Sequence, residues 1–252
     1  MTNTPAPLEY GKMPNRIILL LTLVIAATLI RSSPAQSNPR ATENEAHATP
    51  TWKTAIDARR KQLVTDNGYG TDAPLREQLM AMRATDQAAR GFASSSSSKQ
   101  QLIQNLPTTD AELTAELKQI VQQKGWPTIA MVGIDASNAA MLILTHTADH
   151  AWQRQLLPQL EQLADTYKID PSSLAFVVDK ELVAEGKLQR YGTQFKYIKG
   201  GMAMYGVEDP GALDQQRARA LLPPIDVYKK QLTQIYHLPA SSAIVSAAPQ
   251  PQ

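Results

Sequence analysis

The chain has 252 residues, 43% hydrophobic and 19% charged, which is enough to bury a core of ordinary globular composition. The chain has 25 basic and 23 acidic residues, of which residues 1–35 hold three and one, so 22 of each remain in the rest of the chain. Such a neutral domain lacks the basic face that nucleic acid requires. The absence of cysteine excludes disulfides, thiolate metal ligands and a cysteine nucleophile.

An uncharged apolar run over residues 17–30, flanked by basic residues, predicts an export segment. A bilayer-spanning helix needs about 20 apolar residues, whereas this shorter run suits the hydrophobic region of a secretory signal, and Ser33 and Ala35 are small residues suited to cleavage. We therefore expect residues 1–35 to be a signal peptide or a short membrane anchor. The protein would then be periplasmic or secreted, with residues 17–30 as its membrane contact and the inner membrane as the site of any anchoring.

Two segments have the composition of disordered chain. Residues 36–50 are rich in small and polar side chains and predict a disordered linker, and residues 239–252 predict a disordered tail. One globular domain is expected between them, over residues 51–238.

Helical spacing of apolar residues dominates most of this domain and predicts six helices, at about residues 52–66, 74–90, 109–124, 137–150, 158–167 and 172–186. Thr109 and Glu112 form a capping box that marks the start of the third helix. The fourth is almost entirely apolar, so we expect it in the centre of the domain.

The spacing changes after these helices. Residues 191–197 alternate as in a strand, Gly200 and Gly201 form a two-residue turn signal, and residues 202–207 supply the return strand. Two further helices follow. The predicted fold class is mainly α (α+β): a single helical domain with one β-hairpin packed on it, because an isolated hairpin is marginal in water.

The second helix carries the first candidate site residues. Its apolar stripe of leucine and methionine continues into Asp86 and Arg90. Burying a charge is costly unless it is paired. Two interpretations stay open: an exposed ion pair at the helix end, or an ionic pair that lines a cleft.

The fourth predicted helix carries His146 and His150 four residues apart, with Asp149 between them. On one helix, two imidazoles at this spacing can reach one metal ion, and Glu181 and Glu185 are available as further ligands. The arrangement resembles an inverted zinc-protease motif with aspartate in place of glutamate. Polar core or cleft histidines, exposed histidines at a helix end, and a metal site all remain open, and no cofactor is predicted.

A dense polar segment over residues 189–194 and a pair of arginines on a later helix complete the candidates. Gln194 and Tyr191 lie on opposite faces of the predicted strand, where they are either solvated or bind a ligand. Arg217 and Arg219 point to different faces, so one of them at most could join an anion site. The sequence has no phosphate-binding glycine loop and no nucleophile elbow.

Several segments together resemble a bacterial family of unknown function that is often found behind signal peptides. They occur in order over about residues 72–232: Asp86-Gln87-x-x-Arg90, Gly125-Trp126-Pro127, Val132-Gly133, His146-x-x-Asp149, Leu157-Pro158, Gln189-x-Tyr191-Gly192-Thr193-Gln194 and Asp214-x-x-Arg217 followed by Leu222-Pro223. The chain departs from the pattern at Lys180, where arginine is expected. The resemblance implies one cleft formed by six residues: Asp86, Arg90, His146, Tyr191, Gln194 and Arg217. It adds Gln87 and Asp149 as binding candidates and implies no reaction.

Two classes of function fit these features. The first is an exported binding domain that recognises an envelope protein or a polar ligand, for example by neutralising a toxin. The second is a hydrolase-like envelope enzyme, with or without a metal. In that enzyme, His146 is the general base, Asp86 orients it, and Arg90 or Arg217 binds an anion.

Overall fold

The computed structural model describes residues 50–92 and 99–247, and for residues 99–104 it describes the backbone only. The predicted export segment and all of the predicted linker except Pro50 lie outside the described residues. Within the described ranges, none of the helices combines the length and the apolar character needed to cross a membrane.

The described residues form nine helices and three strands, which confirms the mainly α class with a small β element. In chain order they are α1 (Thr51–Asn67), α2 (Ala73–Ala89), α3 (Lys99–Lys124), α4 (Ile129–Val132), α5 (Ile134–His146), α6 (His150–Asp165), α7 (Pro171–Ala184), β1 (Phe195–Ile198), β2 (Gly201–Tyr205), α8 (Leu213–Arg219), α9 (Ile225–Tyr236) and β3 (Ala240–Val245).

The larger hydrophobic core lies among α2 to α7. The predicted stripe of α2, with Leu79 fully buried, packs against α3 and α5. The α5 helix is buried at nine positions, as its apolar sequence predicts. The α3 helix begins at Lys99, so the predicted start at Thr109 is wrong. The chain remains helical through Pro107, which removes one backbone donor without ending the helix.

The α7 helix joins this core to a smaller one. Leu174, Val177 and Val178 face the larger core, whereas Ala175 and Phe176 pack with the strands, α8 and α9. A helix that is buried on all sides is expected to be apolar all round. Its three charged residues, at positions 179–181, are nevertheless buried, so each requires a partner.

The sheet has three strands in the order β1-β2-β3, one more than the predicted hairpin. The hairpin turn is Lys199-Gly200 rather than Gly200-Gly201, because Gly201 already pairs with Ile198. Gly201 has a different role there: a Cβ at this position would lie 2.3 Å from the carbonyl oxygen of Pro239. Only glycine permits that approach of the chain that leads into β3.

The third strand corrects the predicted disordered tail. Ala240–Val245 pairs in parallel with β2, after a crossover through α8 and α9. The sequence of this segment resembles disordered chain because it is short and rich in small residues, and none of the strand residues is buried. Its order comes from backbone hydrogen bonds to the edge of β2, including Gly206 N–H to the Val245 carbonyl at 3.0 Å.

Candidate functional site

The stripe of α2 carries a carboxylate into the protein interior. Asp72 caps the helix by accepting a hydrogen bond from Leu75 N–H, and one face then buries apolar residues for three turns. Asp86 continues this face and is only 1% exposed. The interpretation of Asp86 and Arg90 as a solvated ion pair at a frayed end is therefore wrong for the aspartate.

Asp86 lies against His146, the last residue of α5. Its Oδ1 atom is 2.6 Å from Nδ1 of His146, and its Oδ2 atom accepts a hydrogen bond of 2.8 Å from the amide of Gln87. Arg90 Nη2 lies 3.2 Å from the same Oδ1. The structure thus brings together four of the predicted site residues, from two helices that pack side by side.

The proton on His146 can be placed from these contacts. Arg90 Nε also lies 3.0 Å from His146 Nδ1, but one ring nitrogen cannot donate to Asp86 and accept from Arg90 at once. An ionised carboxylate only accepts, so the 2.6 Å contact with Asp86 requires the proton on Nδ1. The carboxylate thereby fixes both the tautomer and the orientation of the ring.

Asp110 on α3 also belongs to the group and is not among the predicted site residues. Asp110 accepts a hydrogen bond of 2.7 Å from Arg90 Nη2. The signal was present, because Asp110 continues the stripe of Leu113, Leu117 and Ile120 at steps of three, four and three. The capping box hides this signal, because it predicts that the helix begins at Thr109.

The protein environment shifts the pKa values of Asp86 and Asp110 in opposite directions. Burial acts to raise the pKa of Asp86, but the hydrogen bond and charge of His146, with Arg90 and Gln87, outweigh it and lower that pKa. Burial raises the pKa of Asp110 despite the charge of Arg90. Such a division between neighbouring carboxyls is typical of sites that perform acid–base chemistry.

The group opens towards the surface at one end. The exposed fraction of the side chain rises from 0% for Asp86 to 7% for His146, 15% for Arg90 and 20% for Asp110. The ionised Asp86 is therefore at the inner end and Asp110 at the outer end. Arg90 bridges both carboxylates, so its charge is already compensated, and we regard it as a positioning group rather than a receptor for an anion.

Lys180 on α7 contacts the backbone on both sides of His146. Its Nζ donates to the carbonyl oxygens of Thr145 at 2.6 Å and of Thr147 at 2.9 Å. Burial lowers the pKa of Lys180 to about 8, and the charges of Glu181 and Asp110 act against that shift.

His150 and Asp149 lie apart from this group, because α5 ends at His146. Thr147 is extended, Asp149 caps the new helix α6 through Trp152 N–H, and His150 is the first residue of α6. The prediction of one helix over residues 137–150 is wrong. It overlooked the preference of aspartate for the N-cap, which here outweighs the apolar pattern.

The metal hypothesis loses its geometric basis with that helix. His150 Nδ1 lies 2.5 Å from Glu181, and Asp149 pairs with Lys118 at 2.5 Å. The two histidines therefore contact different carboxylates. Within residues 50–92 and 99–247, no group of three or more His, Asp or Glu side chains is arranged to hold a metal ion.

The polar segment after α7 forms a second network around the buried Asp179. One carboxylate oxygen accepts from Arg190 N–H and Tyr191 N–H at 2.7 and 3.0 Å. The other accepts from the backbone N–H and the hydroxyl of Thr193, each at 2.9 Å. Burial raises the pKa of Asp179, and these hydrogen bonds act against that rise. Asp179 thus ties the segment to α7.

Gln194 and Arg217 belong to this network and are fully buried. Gln194 N–H donates to the side chain of Gln189 at 2.8 Å. Arg217 donates to the carbonyls of Tyr191 at 2.5 Å and Pro223 at 2.7 Å, and its guanidinium lies 4.9 Å from the ring centre of Tyr228.

Their role differs from that implied by the resemblance. The described contacts of Arg217 include those with the carbonyls of Tyr191 and Pro223, and those of Gln194 are with residues of its own network, such as Gln189. None of these contacts is with the Asp86 group. Tyr191 is partly buried and contributes to both cores. The six residues therefore divide into a polar group on α2 and α5 and a structural network beside the sheet.

Two concavities lie in the part of the molecule that contains the hairpin and α9. One holds about 10 Å³ between the hairpin and α9, and the other is an open groove of about 460 Å³ along α9 that includes Lys229 and Lys230. The first is about the size of one water molecule. The residues that line these two concavities do not include the Asp86 group.

The fold and this site define a mainly helical α+β domain with a buried aspartate–histidine pair. The chain belongs to a family of unknown function, DUF6624, whose model matches residues 73–240. The match runs from α2 to the first residue of β3, close to the range found by resemblance, and leaves α1 outside. No curated protein and no solved structure matches the chain.

Proposed function

We propose that the domain is a hydrolase-like enzyme that uses His146 as general base and acid. The single observation that supports this proposal is the 2.6 Å contact between His146 Nδ1 and the buried Asp86. In acid–base enzymes a carboxylate at this position holds the imidazole in one tautomer and stabilises the imidazolium that forms.

The proposed reaction is hydrolysis of an ester, amide or phosphoester in a polar substrate. Nε2 of His146 takes one proton from water, directly or through a neighbouring group, and the water oxygen bonds to the carbonyl carbon or phosphorus. The bond to the leaving group then breaks, and the proton returns from His146 to the leaving group. Asp110 lies at the outer end of the group, where burial raises its pKa.

The neighbouring residues have positioning roles in that scheme. Asp86 orients His146, and Gln87 and Arg90 hold Asp86. Because Arg217 is fully buried on backbone carbonyls, the anion-binding role considered for it is dropped from the proposal.

The test compares matched histidine variants on panels of chromogenic esters, amides and phosphoesters. His146→Gln should lower kcat/KM by about 10² to 10⁴-fold, the usual contribution of a general base, and Asp86→Asn by about 10²-fold or more. His237→Gln changes an exposed histidine at the end of α9 and should leave kcat/KM unchanged. Turnover that survives in His146→Gln would overturn the proposal.

The same panel separates the enzyme from a binding domain. If the folded protein turns over none of these substrates, and if ligands or envelope proteins bind equally well to His146→Gln, the enzyme proposal fails. A non-catalytic domain that recognises a protein or a polar ligand would then be the better description.

We also propose that the chain is exported, supported by the apolar run over residues 17–30. Mass spectrometry of the protein recovered from cell fractions tests this. A chain in the periplasm or medium that begins at Gln36 indicates a cleaved signal, whereas an intact chain in the membrane fraction indicates an anchor. An intact chain confined to the cytoplasm would refute export.

A further inference from the structure

Lys180 lies where it can control the backbone of His146. The side chain is on α7, the residue is only 5% exposed, and its Nζ donates to the carbonyls of Thr145 and Thr147. These two residues immediately precede and follow His146. One ammonium group therefore holds the chain on both sides of the imidazole.

The position of the break in the helix explains why these carbonyls need a partner. The last carbonyl groups of a helix have no partner within it and carry partial negative charge. Thr145 and Thr147 are themselves almost completely buried, at 0% and 2% exposed. A lysine can donate to both carbonyls at once, and it can do so whether it is charged or neutral.

We infer that Lys180 is a positioning residue for His146, which it directs at Asp86 by fixing the peptide groups on either side of the histidine. This inference rests on the proposed function, because it gives the fixed ring a task in proton transfer. Without this lysine the end of α5 could pivot about Thr147. A displacement of 1 Å at Nδ1 would break a contact that measures 2.6 Å.

A merely structural lysine would contribute stability alone, so the test needs a readout at the ring. Lys180→Met removes both donated hydrogen bonds, and Lys187→Met is the control at an exposed lysine just beyond α7. Nitrogen-15 NMR of the imidazole reports the Nδ1-bound proton, and kinetics on any substrate found in the panel reports kcat and KM separately.

In Lys180→Met, we expect the Nδ1-bound proton of His146 to exchange with water at least tenfold faster. We also expect kcat to fall about 10 to 100-fold with KM changed less than threefold, and Lys180→Arg to recover most of this loss. The inference is overturned if folded Lys180→Met leaves the His146 signals unchanged. If Lys180→Met does not fold, Lys180→Gln replaces it in the test, because glutamine keeps an N–H donor group near the site. The NMR signals of His146 and the value of kcat then decide whether the inference holds.

The inference and the proposed function can fail independently. A displaced ring in Lys180→Met together with full turnover in His146→Gln would refute the enzyme and leave the positioning role. Loss of turnover in His146→Gln, with normal NMR signals and normal kcat in folded Lys180→Met, would refute the positioning role alone.

Discussion

At the scale of single residues, the Asp86 carboxylate is the group on which the candidate site depends. It is held by His146, Arg90 and Gln87, and those contacts compensate the cost of burying its charge. The pair of Lys53 and Asp57 on α1 has the same i,i+4 spacing as Asp86 and Arg90, but both of its side chains are about half exposed. Burial distinguishes these two pairs.

Asp86→Asn should therefore cost about 3 kcal/mol of unfolding free energy at pH 7, because Arg90 loses one of its buried partners. Asp57→Asn should cost less than about 0.5 kcal/mol. Urea denaturation of both variants measures this difference. Equal losses would show that the buried group contributes no more than a surface pair.

The effect of Asp86→Asn should also depend on pH. The pKa of Asp86 in the folded protein lies below its ordinary value of 3.8, so the stabilisation is fully present above that value and is lost as pH falls through the lowered pKa. The stability gap between the two proteins should be constant from pH 5 to 7 and narrow below about pH 4. A gap that widens on acidification would contradict the direction of the shift.

At the scale of elements, the sequence predicted what depends on local periodicity. The stripe of α2 followed from spacing alone, and that spacing placed Asp86 on the same face, but it left open whether the carboxylate is buried or exposed. The break after His146 was not predicted, because the apolar pattern outweighed the N-cap preference of Asp149, and local spacing carries no information about the carbonyls that the distant Lys180 satisfies. The strand β3 was missed for a related reason: its order comes from pairing with β2 across a crossover rather than from its own side chains.

The segment 189–194 depends on one helix residue in the same way. Asp179 accepts hydrogen bonds from three backbone N–H groups and one hydroxyl. Asparagine keeps one oxygen and presents an NH₂ group to the remaining donors. Asp179→Asn should cost about 3 kcal/mol and speed amide exchange at Tyr191 and Thr193. Asp165→Asn, at an exposed position on α6, is the control. Unchanged exchange at Tyr191 and Thr193 would show that the carboxylate does not hold the segment.

The β3 strand makes a second prediction at this scale. A chain that ends at Pro239 loses the strand and leaves one edge of β2 unpaired. This should lower Tm by about 4 °C, because each kcal/mol of lost stability lowers Tm by roughly 2 °C or more in a domain of this size. A chain that ends at Ala247 keeps β3 and should melt within about 1 °C of the full protein. Thermal unfolding of both tests the correction to the predicted tail, and equal Tm values would restore the original boundary at residue 238.

At the scale of the whole molecule, α1 connects parts of the domain that are distant in sequence. Ile56 and Leu63 pack with Ile129 at the start of α4 and with Leu221 after α8. Arg60 Nη2 also donates to the hydroxyl of Ser172 at 3.2 Å and the carbonyl of Leu221 at 3.5 Å. The helix that lies outside the family match therefore contacts both halves of the fold.

If α1 is integral to the fold, Leu63→Ala should destabilise the whole domain. Leu63 is 1% exposed, so its truncation leaves a cavity and should cost about 3 kcal/mol. Val64→Ala, at the partly buried neighbouring position, should cost about 1 kcal/mol or less. Amide hydrogen exchange shows which elements are destabilised. If α1 is integral to the fold, exchange in Leu63→Ala should be faster in α5 and α9 as well as in α1. Faster exchange confined to α1 would instead identify it as a helix attached to a domain that folds without it, as the start of the family match at residue 73 would then suggest.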